Sequence, residues 1–323
     1  MMEAKAVSYE EVVKDIGEFP GLAYAREFLC FQEKHYSLKN IFLKITNDGI
    51  PTAIIAVNLK SNEAFSVYKD YAHLFFLDTR QKDFNWLTLA NVVKKKIGAS
   101  YFELQFAQFE GTPSHDGLVP SPLSIFVLSL NNEKTEADLL NLFDKKTRNE
   151  IRKSKRYGFE VKMIRIDMLD DIYALYIENM KRHGTPPKPM GYFEDLFHCF
   201  GEKCKCLGVL SNGELVGLNI FQVNKDYLRL IFNLSKVKFW NACVNNLLYY
   251  ETIEWAALNG VKIIDFGPSL NNDHGHNRFK LGFGAKRMPI FSVVDAGVVF
   301  RFRKWIRQKW YNLRLRYAKT FNV

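Results

Sequence analysis

The chain has 323 residues, 47% of them hydrophobic, 25% charged and 15% aromatic, with a formal charge of +10. This balance excludes a disordered polymer, a collagen-like repeat and a disulfide-framed miniprotein, and the length fits two domains or one large one. The charge is local: residues 301–323 hold eight bases and no acid, residues 144–156 hold seven bases and two acids, and the remaining chain carries −3.

In chain order, helical periodicity over 9–16 and 22–32 gives way to short runs rich in Ile, Val and Phe at 41–46, 52–57 and 73–77, divided by turn residues such as Asn47-Asp48-Gly49. These read as three strands. A helix over 84–97 ends near Gly98, and strands follow at 101–106 and 125–130. The second half repeats this order, with a hairpin of 206–210 and 215–223 turning at Asn212-Gly213. A third strand at 227–234, a helix over 241–258 capped by Asn241, and a strand at 262–266 complete it. Strand, strand, strand, helix, strand thus occurs twice about 160 residues apart, which predicts a duplicated α+β unit.

Five cysteines, an odd set, and the lack of a signal-peptide pattern point to a reducing cytoplasm. No uncharged apolar run reaches the roughly 20 residues of a membrane helix. His198, Cys199, Cys204 and Cys206 fit no standard zinc spacing, so no metal is expected. The Asp265-Phe266-Gly267 tripeptide lacks the other kinase motifs.

An ordered motif set runs through residues 123–291. Lys146-Thr147-Arg148-Asn149-Glu150-Ile151-Arg152-Lys153-Ser154 precedes Gly158-Phe159-Glu160-Val161; then come Lys181-Arg182-His183-Gly184-Thr185-Pro186-Pro187, Asp265-Phe266-Gly267-Pro268-Ser269 and Arg278-Phe279-Lys280-Leu281-Gly282-Phe283-Gly284. This set resembles the FemABX-type aminoacyl and peptidyl transferases and their BioF2-like acyltransferase relatives. The resemblance implies an α+β chain of two tandem GNAT-like domains (the acyl-CoA N-acyltransferase fold) with mixed, mostly antiparallel sheets. The boundaries expected are 1–135 for a degenerate first domain, 136–160 for a basic connecting helix, 161–298 for the transferase domain and 299–323 for a C-terminal basic amphipathic helix.

The implied reaction passes an acyl or aminoacyl group to an amine of a cell-envelope precursor or related conjugate. Acyl-CoA or aminoacyl-tRNA is the donor substrate, and no cofactor is bound permanently. Such chemistry needs an aligned neutral amine and donors for the oxyanion. The resemblance assigns oxyanion stabilisation to Lys280 and the acyl pocket to Phe279, with Gly282 and Gly284 allowing close backbone approach; the residues alone favour an outward lysine ending a strand.

Arg182, in a helix's last turn, either forks onto an anionic acceptor or answers the helix dipole, and Tyr192 lines the same groove or the core. Glu251, set among apolar residues of the 241–258 helix, and Asp265 are candidate proton acceptors or paired acids. Arg148 and Arg152, in the basic segment, meet a phosphate-bearing ligand or lie on a solvated linker helix. The stretch 234–242 has no glycine where an acetyl-CoA site would have its pyrophosphate turn; Lys236 or Lys238 is left to meet phosphate and Asn241 to cap the helix, with Lys236, Trp240 and Asn241 the substrate-binding candidates there.

His274-Gly275-His276 reads as a polar loop. The tail places Phe302, Trp305, Ile306 and Trp310 on one arc and Arg303, Lys304 and Arg307 outside it, so it docks on the second domain, lies on an anionic membrane at the inner face, or touches RNA such as tRNA. A non-catalytic binding protein recruited by this tail is the competing reading.

Overall fold

In a computed structural model, the described residues are 1–16, 24–66, 75–77, 85–107, 117–131, 133, 135–297 and 309. The expected helix at 299–323 therefore lies outside the described residues apart from Lys309. The chain forms two compact units, the first made of Met1–Gly17, Leu38–Pro120 and Phe291–Val323 and the second of Glu18–Ser37 and Ser121–Ile290.

The first unit holds β1 (Met2–Val7) and α1 (Tyr9–Ile16). After α2 (Arg26–Tyr36), which belongs to the second unit, come β2 (Lys39–Asn47), β3 (Ile50–Lys60), β4 (Glu63–Phe65), β5 (Phe75–Phe76), α3 (Trp86–Ile97) and β6 (Tyr101–Ala107). Strand order is β1-β2-β3-β4-β6, with β5 beside β3. All pairs are antiparallel except β4 with β6, between which β5 and α3 lie in the chain. Asn85 caps α3 by accepting from the Thr88 N–H at 2.8 Å, and Gly98 ends it in the left-handed region at φ 72°. Trp86, Leu89 and Val93 are fully buried from this helix.

The second unit continues with β7 (Val119–Ser129), α4 (Glu136–Leu142), α5 (Lys145–Lys155), β8 (Glu160–Met163), α6 (Leu169–His183) and α7 (Met190–Phe200). Then follow β9 (Cys204–Ser211), β10 (Glu214–Asn224), β11 (Tyr227–Ser235), a 3-10 turn at Val237–Ala242, α8 (Val244–Leu258), β12 (Ile263–Leu270), α9 (His274–Gly282) and β13 (Lys286–Ala296), whose residues divide between the units. Order is β7-β12-β11-β10-β9-β8, antiparallel except for β11 with β12, which α8 connects. A helix crossing between two parallel strands inside an otherwise antiparallel sheet therefore appears once in each unit, as the repeated element order predicts.

Several expectations are corrected. The connecting segment 136–160 is two helices, because Phe143 is buried against Phe283 with ring centroids 5.2 Å apart and Asp144 starts a new helix by accepting from the Thr147 N–H at 2.6 Å. His274-Gly275-His276 is the first turn of α9, capped by Asp273, and not a loop. Asn241 does not cap α8; it lies exposed in the 3-10 turn, and the cap position is Cys243, left-handed at φ 57° with no side-chain bond. Segment Glu18–Ser37 groups with the second unit because α2 packs on α7, with Phe31 edge-on to Tyr192 at 5.2 Å.

Candidate active site

The site begins where β11 and β12 part. They pair only at Tyr227–Arg229 with Ile263–Asp265; beyond this β12 shifts register and runs with β7, while β11 continues beside β10. The register between β10 and β11 leaves Ile231 as an extra residue, a bulge that turns β11 just past the fork. Gly267 sits on the β12 side of the fork at φ 74°, where a Cβ would lie 3.3 Å from the Leu230 carbonyl oxygen.

Lys280 holds this fork from inside. Its Nζ donates to the Gly267 carbonyl at 2.9 Å and Ser269 Oγ at 2.7 Å, with the Pro268 carbonyl at 3.5 Å. An ammonium has three donors, and all three directions are taken. The residue is 6% exposed, and burial lowers its pKa to about 8 against the opposing pull of Asp265 and Asp273. Asp265 is fully buried, accepting from the Tyr227 hydroxyl at 2.6 Å and the Gly267 N–H at 2.8 Å. The two residues thus fix the shape of the strand end.

A cavity of about 370 Å³ lies where the N-terminal parts of three helices meet. Asp144, Lys146, Thr147 and Glu150 come from α5; Cys243, Asn245 and Asn246 from the start of α8; Gly275, Arg278 and Phe279 from α9; and Trp240 from the preceding turn. Helix N-termini carry orphan N–H groups and a positive dipole end, which suit anionic groups. At α8 no side chain occupies that position. The Asn245 Oδ1 is buried without a hydrogen-bond partner, while Asn246 donates to Glu150 at 3.0 Å. Burial opposes ionisation of Asp144, but the Thr147 hydrogen bonds, Lys146 and Arg278 outweigh it and lower its pKa. A second cavity of about 450 Å³ adjoins through Lys146 and Glu150 and is lined also by Lys145, Asn149 and Lys153.

The glycines of the last motif serve the same junction. A Cβ on Gly282 would stand 2.5 Å from Thr147 Oγ1, and one on Gly284 would stand 2.5 Å from the Leu142 carbonyl oxygen. The Gly282 carbonyl accepts from the Asp144 N–H at 2.9 Å. The basic segment and the Phe279-Lys280 motif are therefore parts of one structure.

The other expected site residues fall as follows. Phe279 lines the cavity and packs on Tyr249 at 4.9 Å. The Arg182 guanidinium stacks 4.7 Å from the Trp240 ring, donating to the Ser235 carbonyl and Asn179 Oδ1. Tyr192 is buried among Phe31, Phe193 and Phe232. Arg148 donates to the Phe143 carbonyl at 2.6 Å, closing the end of α4. Arg152 lies exposed beside Asn149.

Lys236 pairs with Glu214 at 2.5 Å, toward the β9–β10 turn. Glu251 has its pKa raised by burial and by Glu254, and it belongs to a cluster with Lys155 and Glu136 outside the cavity lining. Sequence reasoning assigned no role to Cys243, Asn245 or Asn246, took Lys146 only as one base of the 144–156 segment, and gave Arg278 no role beyond its place in the last motif. The Asp144-x-x-Thr147 capping pattern was the one signal that a helix mouth opened there. Among the described residues no group of three or more His, Cys, Asp or Glu is placed to hold a metal, and no helix is long and apolar enough to cross a membrane.

Residues 143–281, which contain the whole of this cavity's lining, match the family model described as acetyltransferase (GNAT) domain. Over these residues the chain is similar to a GNAT domain. No curated protein sequence matches the chain. Among solved structures it is similar to FemX, with TM-score 0.67 and 14% identity over 93% of this chain and 99% of that one. A tandem GNAT protein from the clavulanic acid biosynthesis pathway gives TM-score 0.55 and 11% identity over 91% and 98%. L-PGS from Bacillus licheniformis gives 0.54 and 12% over 89% and 90%. The chain thus has the expected α+β fold of tandem GNAT-like units, and the family match over residues 143–281 supports acyl transfer as the reaction class.

Proposed function

We propose that this protein transfers an acyl or aminoacyl group from an activated, phosphate-bearing donor, an acyl-CoA or an aminoacyl-tRNA, to an amine of a cell-envelope precursor or related conjugate. The observation that carries this reading is the cavity between the starts of α5, α8 and α9, which joins the uncapped start of α8 to Phe279. In place of a glycine turn, the first N–H groups of α8 receive donor phosphate, with Lys146 and Arg278 supplying positive charge on either side. The acyl end lies toward Phe279.

The amine nitrogen attacks the donor carbonyl, a tetrahedral intermediate forms, and its collapse expels the thiolate or the ribose oxygen. Backbone N–H groups near the bulge at Ile231 are the candidates for holding the oxyanion. Lys280 acts as a positioning residue, since its three donors already hold β12. Arg182, braced on Trp240, binds the anionic part of the acceptor. Both donor types are cytoplasmic, and the protein works there. The test is to offer purified protein charged tRNAs and acyl-CoAs in separate reactions with candidate amine acceptors and to detect amide product by mass; product from either donor supports the reading and names the donor.

A further inference from the structure

Helices α2 and α7 run antiparallel with side chains paired along their length. Lys203, just past α7, lies 2.6 Å from Glu27; the Cys30 and Cys199 Sγ atoms are 2.7 Å apart; and Asp195 meets Lys34 at 3.3 Å and His35 Nδ1 at 3.0 Å. Two free thiols 169 residues apart in the chain are thus held together by ion pairs on both sides of them. Cys30 is exposed and Cys199 partly so. In contrast, Cys204 and Cys206 are buried in β9, and Cys243 lies at the cavity. The transfer reaction uses neither Cys30 nor Cys199.

We propose that Cys30 and Cys199 form a reversible disulfide that staples α2 to α7 when a hydroperoxide is present. Exposed Cys30 reacts first: its thiolate sulfur attacks the peroxide, an S–O bond forms, the O–O bond breaks, and the leaving oxygen departs as water. Cys199 then attacks the sulfenic sulfur of Cys30; the S–S bond forms, the S–O bond breaks, and a second water leaves. The two thiols lose two electrons, and one hydrogen peroxide is reduced to two waters. Burial, followed by the Cys30 contact, pushes the Cys199 thiol up to about 12, which makes it the poorer first nucleophile; in the second step its contact with Cys30 offsets its small thiolate fraction. The product ties the ends of a long loop and restricts the unfolded chain.

The full-length protein is treated with hydrogen peroxide, blocked with N-ethylmaleimide and digested without reductant. The expected result is a Cys30–Cys199 linked peptide, about 2 Da below the sum of the two thiol peptides. It disappears with dithiothreitol and in Cys30→Ser and Cys199→Ser, and it persists in Cys243→Ser. Oxidised wild type melts roughly 5 °C or more above reduced wild type, a difference absent in Cys30→Ser. The proposal is overturned if oxidised Cys30 appears as sulfinic acid or in links to a second chain without the Cys199 peptide. Equal melting of oxidised and reduced wild type would overturn the staple.

Discussion

The Lys280 ammonium donates to the Gly267 carbonyl at 2.9 Å, so α9, whose Phe279 lines the cavity, is tied to the end of β12. The contact brings together the last two motifs of the sequence, Asp265-Phe266-Gly267-Pro268-Ser269 and Arg278-Phe279-Lys280. It also splits the Phe279-Lys280 pair, with the ring on the cavity wall and the amine turned into the protein.

A buried lysine with a pKa of about 8 makes stability depend on pH. Between about 8 and the ordinary 10.5, the unfolded chain binds this proton and the folded chain releases it, so stability from this group rises with pH across that window and is lost as pH falls through 8. Lys280→Met removes the dependence. The melting temperature of wild type relative to Lys280→Met is expected to rise from pH 7.5 to 10.5; curves that stay parallel would show that the amine is not held as described.

Gly282→Ala places a Cβ 2.5 Å from Thr147 Oγ1, and overpacking of this kind costs about 1–3 kcal/mol. Adding Thr147→Ala removes the clashing hydroxyl and restores part of the loss, giving a coupling measurable by denaturant unfolding. Gly284→Ala, which meets the backbone carbonyl of Leu142 at φ 78°, gains nothing from the same second change.

Arg182→Lys keeps the charge but loses the planar stack on Trp240 and the fork to Ser235 and Asn179. The acceptor KM is expected to rise about 10-fold or more, matching loss of roughly 1.4 kcal/mol of binding, with the donor KM unchanged. Steady-state kinetics with each substrate varied in turn gives the answer; an unchanged acceptor KM would remove Arg182 from acceptor binding.

The eight bases of residues 301–323 are expected to bring the protein down with liposomes containing anionic lipid at low salt and to release it as salt rises, because exposed charge is screened over about 10 Å at 0.1 M. Deletion of 301–323 should abolish sedimentation. Sedimentation that survives the deletion would locate the binding elsewhere.

Much of the sheet was legible because its signals are local. Asn212-Gly213 turns with both residues left-handed, at φ 50° and 80°, as an Asn-Gly hairpin demands. Gly98 ends α3 where a helix-terminating glycine was read. The site was less legible because its contacts join distant segments. Lys280 looks like any surface lysine until three acceptors 11 to 13 residues away enclose it. The break at Phe143–Asp144 depends on Phe283 and Gly282, and Cys243 takes the cap position of α8 in a conformation its side chain does not advertise. Strands β1 and β4 carry too little Val, Ile or aromatic character to stand out from sequence.

The central claim is that acyl transfer takes place at the cavity between the starts of α5, α8 and α9, and Gly275→Trp tests it most directly. Gly275 lines the cavity, and a Cβ there makes only an ordinary 3.7 Å contact with Asp273, so the backbone accepts a side chain at this position and an indole is large enough to obstruct the cavity it lines. The measurement is the rate of amide formation by wild type and Gly275→Trp from the same acyl-CoA or aminoacyl-tRNA donor, with melting temperature as the control for folding. The account predicts product from wild type and at least a 100-fold lower rate from the variant at an unchanged melting temperature, about 2.7 kcal/mol of lost transition-state stabilisation; equal rates from the two proteins would contradict it.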